Sequence, residues 1–228
     1  MGKWMALLAC SATSMVWGAT ILNTFGPGNS FVSPGVTVGG GLFPRNDPPP
    51  NQGNTQAWEF APTFSATLDQ IDLAVQYMVN PAGGSGPPSL DVSLFSNIGG
   101  QPGLSIETIF LTNVNGGSTT AGIVSALSVI HPLLTAGTDY WLVVAPPDLV
   151  NIAFDWKLSP LSNTGVIAEA SRLGNAPWQS FPATGGNAFT IIGTVATPEP
   201  QTVALGMLGI LAFCWFARRR QFARQTRK

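Results

Sequence analysis

Ile152, Phe154, Trp156 and Leu158 alternate with Asn151, Ala153, Asp155 and Lys157. The same two-residue period runs through Ile71, Leu73, Val75 and Tyr77, and through Leu90, Val92 and Leu94. In an extended chain successive side chains point to opposite faces, so this period buries one face and leaves the other to solvent. Further apolar runs lie at 105–114, 123–130, 139–145, 166–171 and 188–195. The breaks between runs carry turn chemistry: 80–88, 97–103, 115–118, Ala136-Gly137, Pro146-Pro147-Asp148 and 184–187. The pattern predicts about eight or nine short strands and no helix in the body, hence an all-β fold: an antiparallel β-sandwich of jelly-roll-like size over residues 56–196.

Upstream of that body, residues 19–55 are rich in glycine and proline, as in GPGNSFVSPGVTVGGGLFPRNDPPPNQGNT at 26–55. No apolar period survives there long enough for a helix. The segment reads as a loop or extended lead-in, with one short strand at Phe31–Val38.

Charge is sparse, at 9% of residues against about 25% in ordinary domains. Between Ala19 and Pro200 only Arg45, Lys157 and Arg172 are basic, against all eleven acidic residues. Six of the ten basic residues are Arg218, Arg219, Arg220, Arg224, Arg227 and Lys228. An acidic body argues against nucleic acid as a partner, because phosphate contacts need clustered Lys and Arg on the folded surface. The two cysteines, Cys10 and Cys214, both lie in terminal apolar segments. The body therefore has neither a disulfide framework nor a thiolate metal site.

The ends read as addresses. In MGKWMALLACSATSMVWG, Lys3 gives a positive start and Met5–Val16 an apolar stretch of secretory length, with small residues before a cleavage point after Gly18. Residues 1–18 are thus a signal peptide. A lipobox at Leu7-Leu8-Ala9-Cys10 is the alternative, but only nine residues precede that cysteine. At the other end, Pro198-Glu199-Pro200 leads into Thr202–Ala217, 16 residues without a charge, followed by Arg218, Arg219 and Arg220. As a helix that stretch spans about 24 Å, a little short of a ~30 Å hydrocarbon core. Local thinning of the bilayer accommodates the shortfall. The arginines hold the C-terminal end on the cytoplasmic side and leave the body outside.

This tripartite end (197–228) resembles the PEP-CTERM sorting signal of Gram-negative bacteria. The resemblance implies exosortase as a processing partner, the membrane as a transient anchor, and a destination at the cell surface or in the extracellular matrix. It makes Pro198, Glu199 and Pro200 a substrate motif, which the two prolines keep extended and outside the helix. Three body segments, LFSNIGGQPGLSIET (94–108), LTAGTDYWLVV (134–144) and the close of the body at 178–194, are similar to the choice-of-anchor domains. Those are bacterial surface modules without an assigned activity.

No catalytic constellation stands out, and the chain reads as a non-enzyme with no cofactor and no metal. The single histidine, His131, cannot build a zinc site alone, and no G-x-S-x-G elbow or D-x-D-x-D-G loop is present. Asp69, Asp72, Asp91, Glu107, Asp139, Asp148, Asp155 and Glu169 are candidates for a hydrolytic carboxylate pair, but sequence does not pair them. Trp156 falls in phase with core positions. Trp178, after Asn175-Ala176-Pro177, and Trp141, out of phase with Tyr140, Leu142 and Val144, are candidate glycan contacts. The expectation is a structural or adhesive surface protein within an exopolysaccharide layer. The alternative is a carbohydrate-binding module that uses those two tryptophans.

Overall fold

The computed structural model describes residues 18–39, 53–78, 88–147, 153–162, 164–183 and 185–195. Among them are thirteen strands, all paired antiparallel in one continuous curled sheet. The strands are β1 (Gly18–Asn23), β2 (Val32–Gly39), β3 (Asn54–Phe60), β4 (Ala66–Met78), β5 (Leu90–Asn97), β6 (Pro102–Leu111) and β7 (Gly122–Leu127), followed by β8 (Leu133–Leu134), β9 (Tyr140–Ala145), β10 (Ala153–Leu158), β11 (Val166–Leu173), β12 (Gln179–Pro182) and β13 (Phe189–Val195). No helix among the described residues is long and apolar enough to cross a membrane.

The long strand β4 organises one half of the sheet. Along one edge it pairs with β13 and then β10, and along the other with β8 and then β7. β1 extends this half beyond β13, and β2 extends it beyond β10. The other half runs β12-β11-β3-β9-β5-β6. Among the described residues the two halves join at one β2–β3 pair, Gly39 with Asn54, where the Asn54 amide also donates to the Thr37 carbonyl at 2.8 Å. The sheet doubles over at this corner, and its inner faces share one sandwich-like core. Ile71, Leu73, Phe154, Trp156 and Phe189 of the first half bury against Trp58, Phe60, Val92, Leu94 and Leu142 of the second. Trp156 is in this core, with its ring centroid 5.9 Å from that of Phe189 and its indole N–H donating to the Ala188 carbonyl.

The alternation read from Ile71, Leu73 and Val75 is inward, as the period predicts. It does not extend to the start of β4, where Ala66 and Leu68 are also inward. An extra residue at Asp69 shifts the register against β13, so Leu68 faces Gly193 whereas Gln70 faces Ile192. Gly193 permits the close approach this bulge needs: a Cβ there would stand 2.3 Å from the Thr67 carbonyl oxygen.

Two expectations change. The body does not begin at 56, because β1 and β2 of the Gly/Pro-rich lead-in are integral strands, and the compact unit of the fold ends at Val195. Propensity hid these strands; long-range pairing with β13 and β10 makes them. The predicted strand at Phe31–Val38 corresponds to β2. The signal peptide falls outside the described residues except for Gly18, where β1 starts, and the apolar segment at 202–217 lies wholly outside them.

Opposite the corner, the layers are closed by a side chain. Glu107 of β6 is buried, and its carboxylate accepts from the backbone N–H groups of Val129 (2.6 Å) and Ile130 (3.2 Å) and from the Ser128 hydroxyl (2.7 Å), just beyond β7. Glu107→Ala leaves these donors without their acceptor and is expected to cost about 3 kcal/mol in denaturant unfolding. Glu107→Gln keeps one acceptor oxygen and is expected to cost less.

Candidate functional site

Among the described residues, the outer face of the second half brings together tryptophans, an arginine and a buried carboxylate. There β3, β9 and β5 set Glu59, Trp141 and Phe95 side by side in register, with Ala57, Val143 and Ser93 in the next row. Such a face would ordinarily meet water. Here Ala57, Trp141, Val143 and Ala170 are buried, with Phe95, Ala168 and Trp178 packed against them. The hairpin of β11 and β12 supplies Trp178. It is tied down by Gln101, whose amide donates to the Trp178 carbonyl (3.3 Å), and by the Ser180 hydroxyl, which donates to the Gly100 carbonyl (3.1 Å).

This geometry corrects one candidate glycan contact. Trp141 is 0% exposed, so no sugar can stack on it. Strand β9 is buried on both faces, which alternation alone does not reveal. Trp178 is half-buried, and the Arg172 guanidinium carbon lies 4.5 Å from its ring centre, so that approach to the ring is already taken by a cation. Burial lowers the pKa of Arg172, and its buried Nε finds no hydrogen-bond partner. Among the described residues Arg172 makes no salt bridge, whereas Lys157 is buried and ion-paired to Asp155 at 2.5 Å.

At the end of the same face stands a small acidic cluster. The Asn97 amide donates to Glu59 at 2.5 Å and to Asp139 at 3.4 Å, while its carbonyl oxygen accepts from Gly100 N–H and holds the β5–β6 turn. Glu59 is 5% exposed, and burial, then the neighbouring Asp139 charge, raise its pKa. Glu169, near the other edge of β3, is raised by burial as well. Among the described residues no three His, Cys, Asp or Glu side chains come together as metal ligands.

His131 has a more specific setting than a lone histidine at a strand end. Its Nδ1 lies 3.0 Å from the Leu68 carbonyl oxygen and 3.4 Å from the Asp69 carboxylate. Both are acceptors, so Nδ1 carries the proton. Asp69 also accepts from the Thr194 hydroxyl at 2.7 Å. Ser128 is close in sequence, yet its hydroxyl donates to Glu107 and accepts the His131 backbone N–H. Serine, histidine and two carboxylates therefore gather to shape a loop; the hydroxyl's bonds are to Glu107 and backbone, not to the imidazole. Sequence reading missed this loop and the Asn97 bridge, because both depend on residues 20 or more positions apart.

Pro198, Glu199, Pro200, Arg218, Arg219 and Arg220 lie outside the described residues. The unit that carries them, Ala196–Lys228, begins one residue after β13 ends.

The Glu59 shift has a stability consequence. A carboxyl group whose folded pKa lies above its unfolded value, near 4.5, binds its proton more tightly when folded. Below pH about 4.5 the group is protonated in both states and imposes no penalty. As pH rises through the folded value the ionised form destabilises the fold. Glu59→Gln, which can still accept from Asn97, is expected to raise the melting temperature at pH 7, with the gain over the natural protein fading as pH falls towards 4.5.

Residues 196–220 match the family model of the PEP-CTERM protein-sorting motif. No curated protein matches the chain. The motif indicates an exported protein that exosortase sorts and that is processed at the membrane.

Proposed function

We propose that the chain is a non-enzymatic structural or adhesive component of the cell surface or extracellular matrix, working within an exopolysaccharide layer. In this reading residues 1–18 direct export. Thr202–Ala217 holds the chain in the inner membrane while Arg218, Arg219 and Arg220 remain cytoplasmic, and exosortase acts at Pro198-Glu199-Pro200. The β body is then the mature part, of the choice-of-anchor kind that its turn motifs resemble. The observation that carries the reading is the sorting motif at 196–220, which adjoins the last strand of the body with no intervening domain. An acidic, sparsely charged body suits a passive component of a hydrated matrix. The reading does not use Trp141 or Trp178 as sugar platforms, since one is buried and the other carries Arg172.

Intact-mass and terminal-peptide mass spectrometry of the protein from a surface fraction of its native cells tests this. The expected product starts at Ala19 and ends before Thr202. A surface product that still carries Arg218–Lys228 would remove exosortase processing from the account.

A further inference from the structure

The Glu107 clasp does more than close the sheet. By taking the N–H groups of Val129 and Ile130, it fixes both side chains outward, and they are 79% and 61% exposed. Leu127 and Leu133 on either side are 61% and 58% exposed. Single exposed apolar residues are ordinary, but four within seven positions on a braced loop form a patch. The brace is extensive. Leu68 N–H donates to the Pro132 carbonyl, Ser128 N–H donates to the Asp69 carbonyl, and His131, at φ +47°, sits against Leu68 and Asp69.

The position of this loop matters as much as its composition. It lies along the first residues of β4, where Ala66 and Thr67 pair with Leu134 and Leu133. On the opposite edge of the same two residues stand Val195 and Thr194, and Thr194 pairs in turn with Gly18. Leu133 is thus two strand spacings, about 10 Å, from the point where the chain leaves the sheet for the sorting motif. Six residues, 196–201, separate Val195 from Thr202, a covalent reach of about 25 Å at most.

We infer that the 127–133 loop is a membrane-contact tip, which places Leu127, Val129, Ile130 and Leu133 in the headgroup region of the bilayer while the chain is held there by its C-terminal segment. The occupant is a lipid surface, because a leash of six residues, 196–201, keeps this end of the body within about 25 Å of the segment proposed to enter the bilayer. Zwitterionic lipid fits best: the tip carries no lysine or arginine to draw anionic headgroups, and the body around it is acidic. The inference rests on the proposed membrane attachment of residues 202–217.

The test uses the full chain with Cys10→Ser and Cys214→Ser, labelled with an environment-sensitive fluorophore at Ile130→Cys and reconstituted into phosphatidylcholine vesicles. Thr119→Cys is the control; its backbone carbonyl bonds Gln76, about 25 Å along β4 from Leu68. The expected result is a blue shift and quenching by shallow spin-labelled lipid at 130 but not at 119. A label at Leu133→Cys should behave likewise and lose its shielding when Val129→Ser and Ile130→Ser are combined. Water-like emission at 130 in a chain that floats with the vesicles overturns the inference and leaves the attachment standing. A chain that does not float with vesicles removes the attachment and the inference together. Shielding that appears only in membranes containing exosortase overturns it in favour of a protein contact.

Discussion

A sheet that curls over on itself leaves two outer edges to be brought together, and in this chain the Glu107 carboxylate bridges them. Gly39 and Asn54 join the halves on one side; on the other, three donors from the end of β7 converge on one buried side chain of β6. The apolar core between them is generic and tolerates exchange among residues of similar volume. The carboxylate is not generic, because the donors it satisfies would otherwise be desolvated without partners. The outward display of Val129 and Ile130 follows from it, while backbone bonds to Leu68 and Asp69 brace the rest of the loop and seat His131.

How far this was legible depended on whether the signal was local. Alternation at 71–77 and 152–158 marks strands because the pleat is a local property, and it placed Trp156 inside. It failed at Asp69, where a bulge changes the phase, and at Trp141, whose strand is covered on both faces by parts of the chain distant in sequence. β1 and β2 were obscured by glycine and proline; partners more than 100 residues away stabilise them. The sorting motif was readable for the opposite reason: it is a contiguous order of turn, apolar stretch and arginines, and needs no tertiary context. The pairing of Asn97 with Glu59 and Asp139 spans about 40 positions and leaves no trace in any window of sequence.

The electrostatics of the body divide between the two outer faces. Lys157 is neutralised where it is buried, by Asp155 and by the Gln76 amide oxygen. Arg172 is left to Trp178, a contact within the β11–β12 hairpin. Glu59 keeps an unfavourable charge beside Asp139, a cost that a purely structural core would be expected to shed. The outer face of β3, β9 and β5 thus combines burial, one cation and a carboxylate pair, and burial there raises the pKa of Glu59.

The strand that leads into the sorting segment is flanked on both edges, by β1 and by β4. Antiparallel ladder bonds lie perpendicular to the strands. A pull applied to Val195 along the axis of β13 would therefore load both ladders in shear, and many bonds would have to yield together. The last strand is thus bonded on both edges before the chain passes on at Ala196, so it cannot leave the sheet without breaking two ladders.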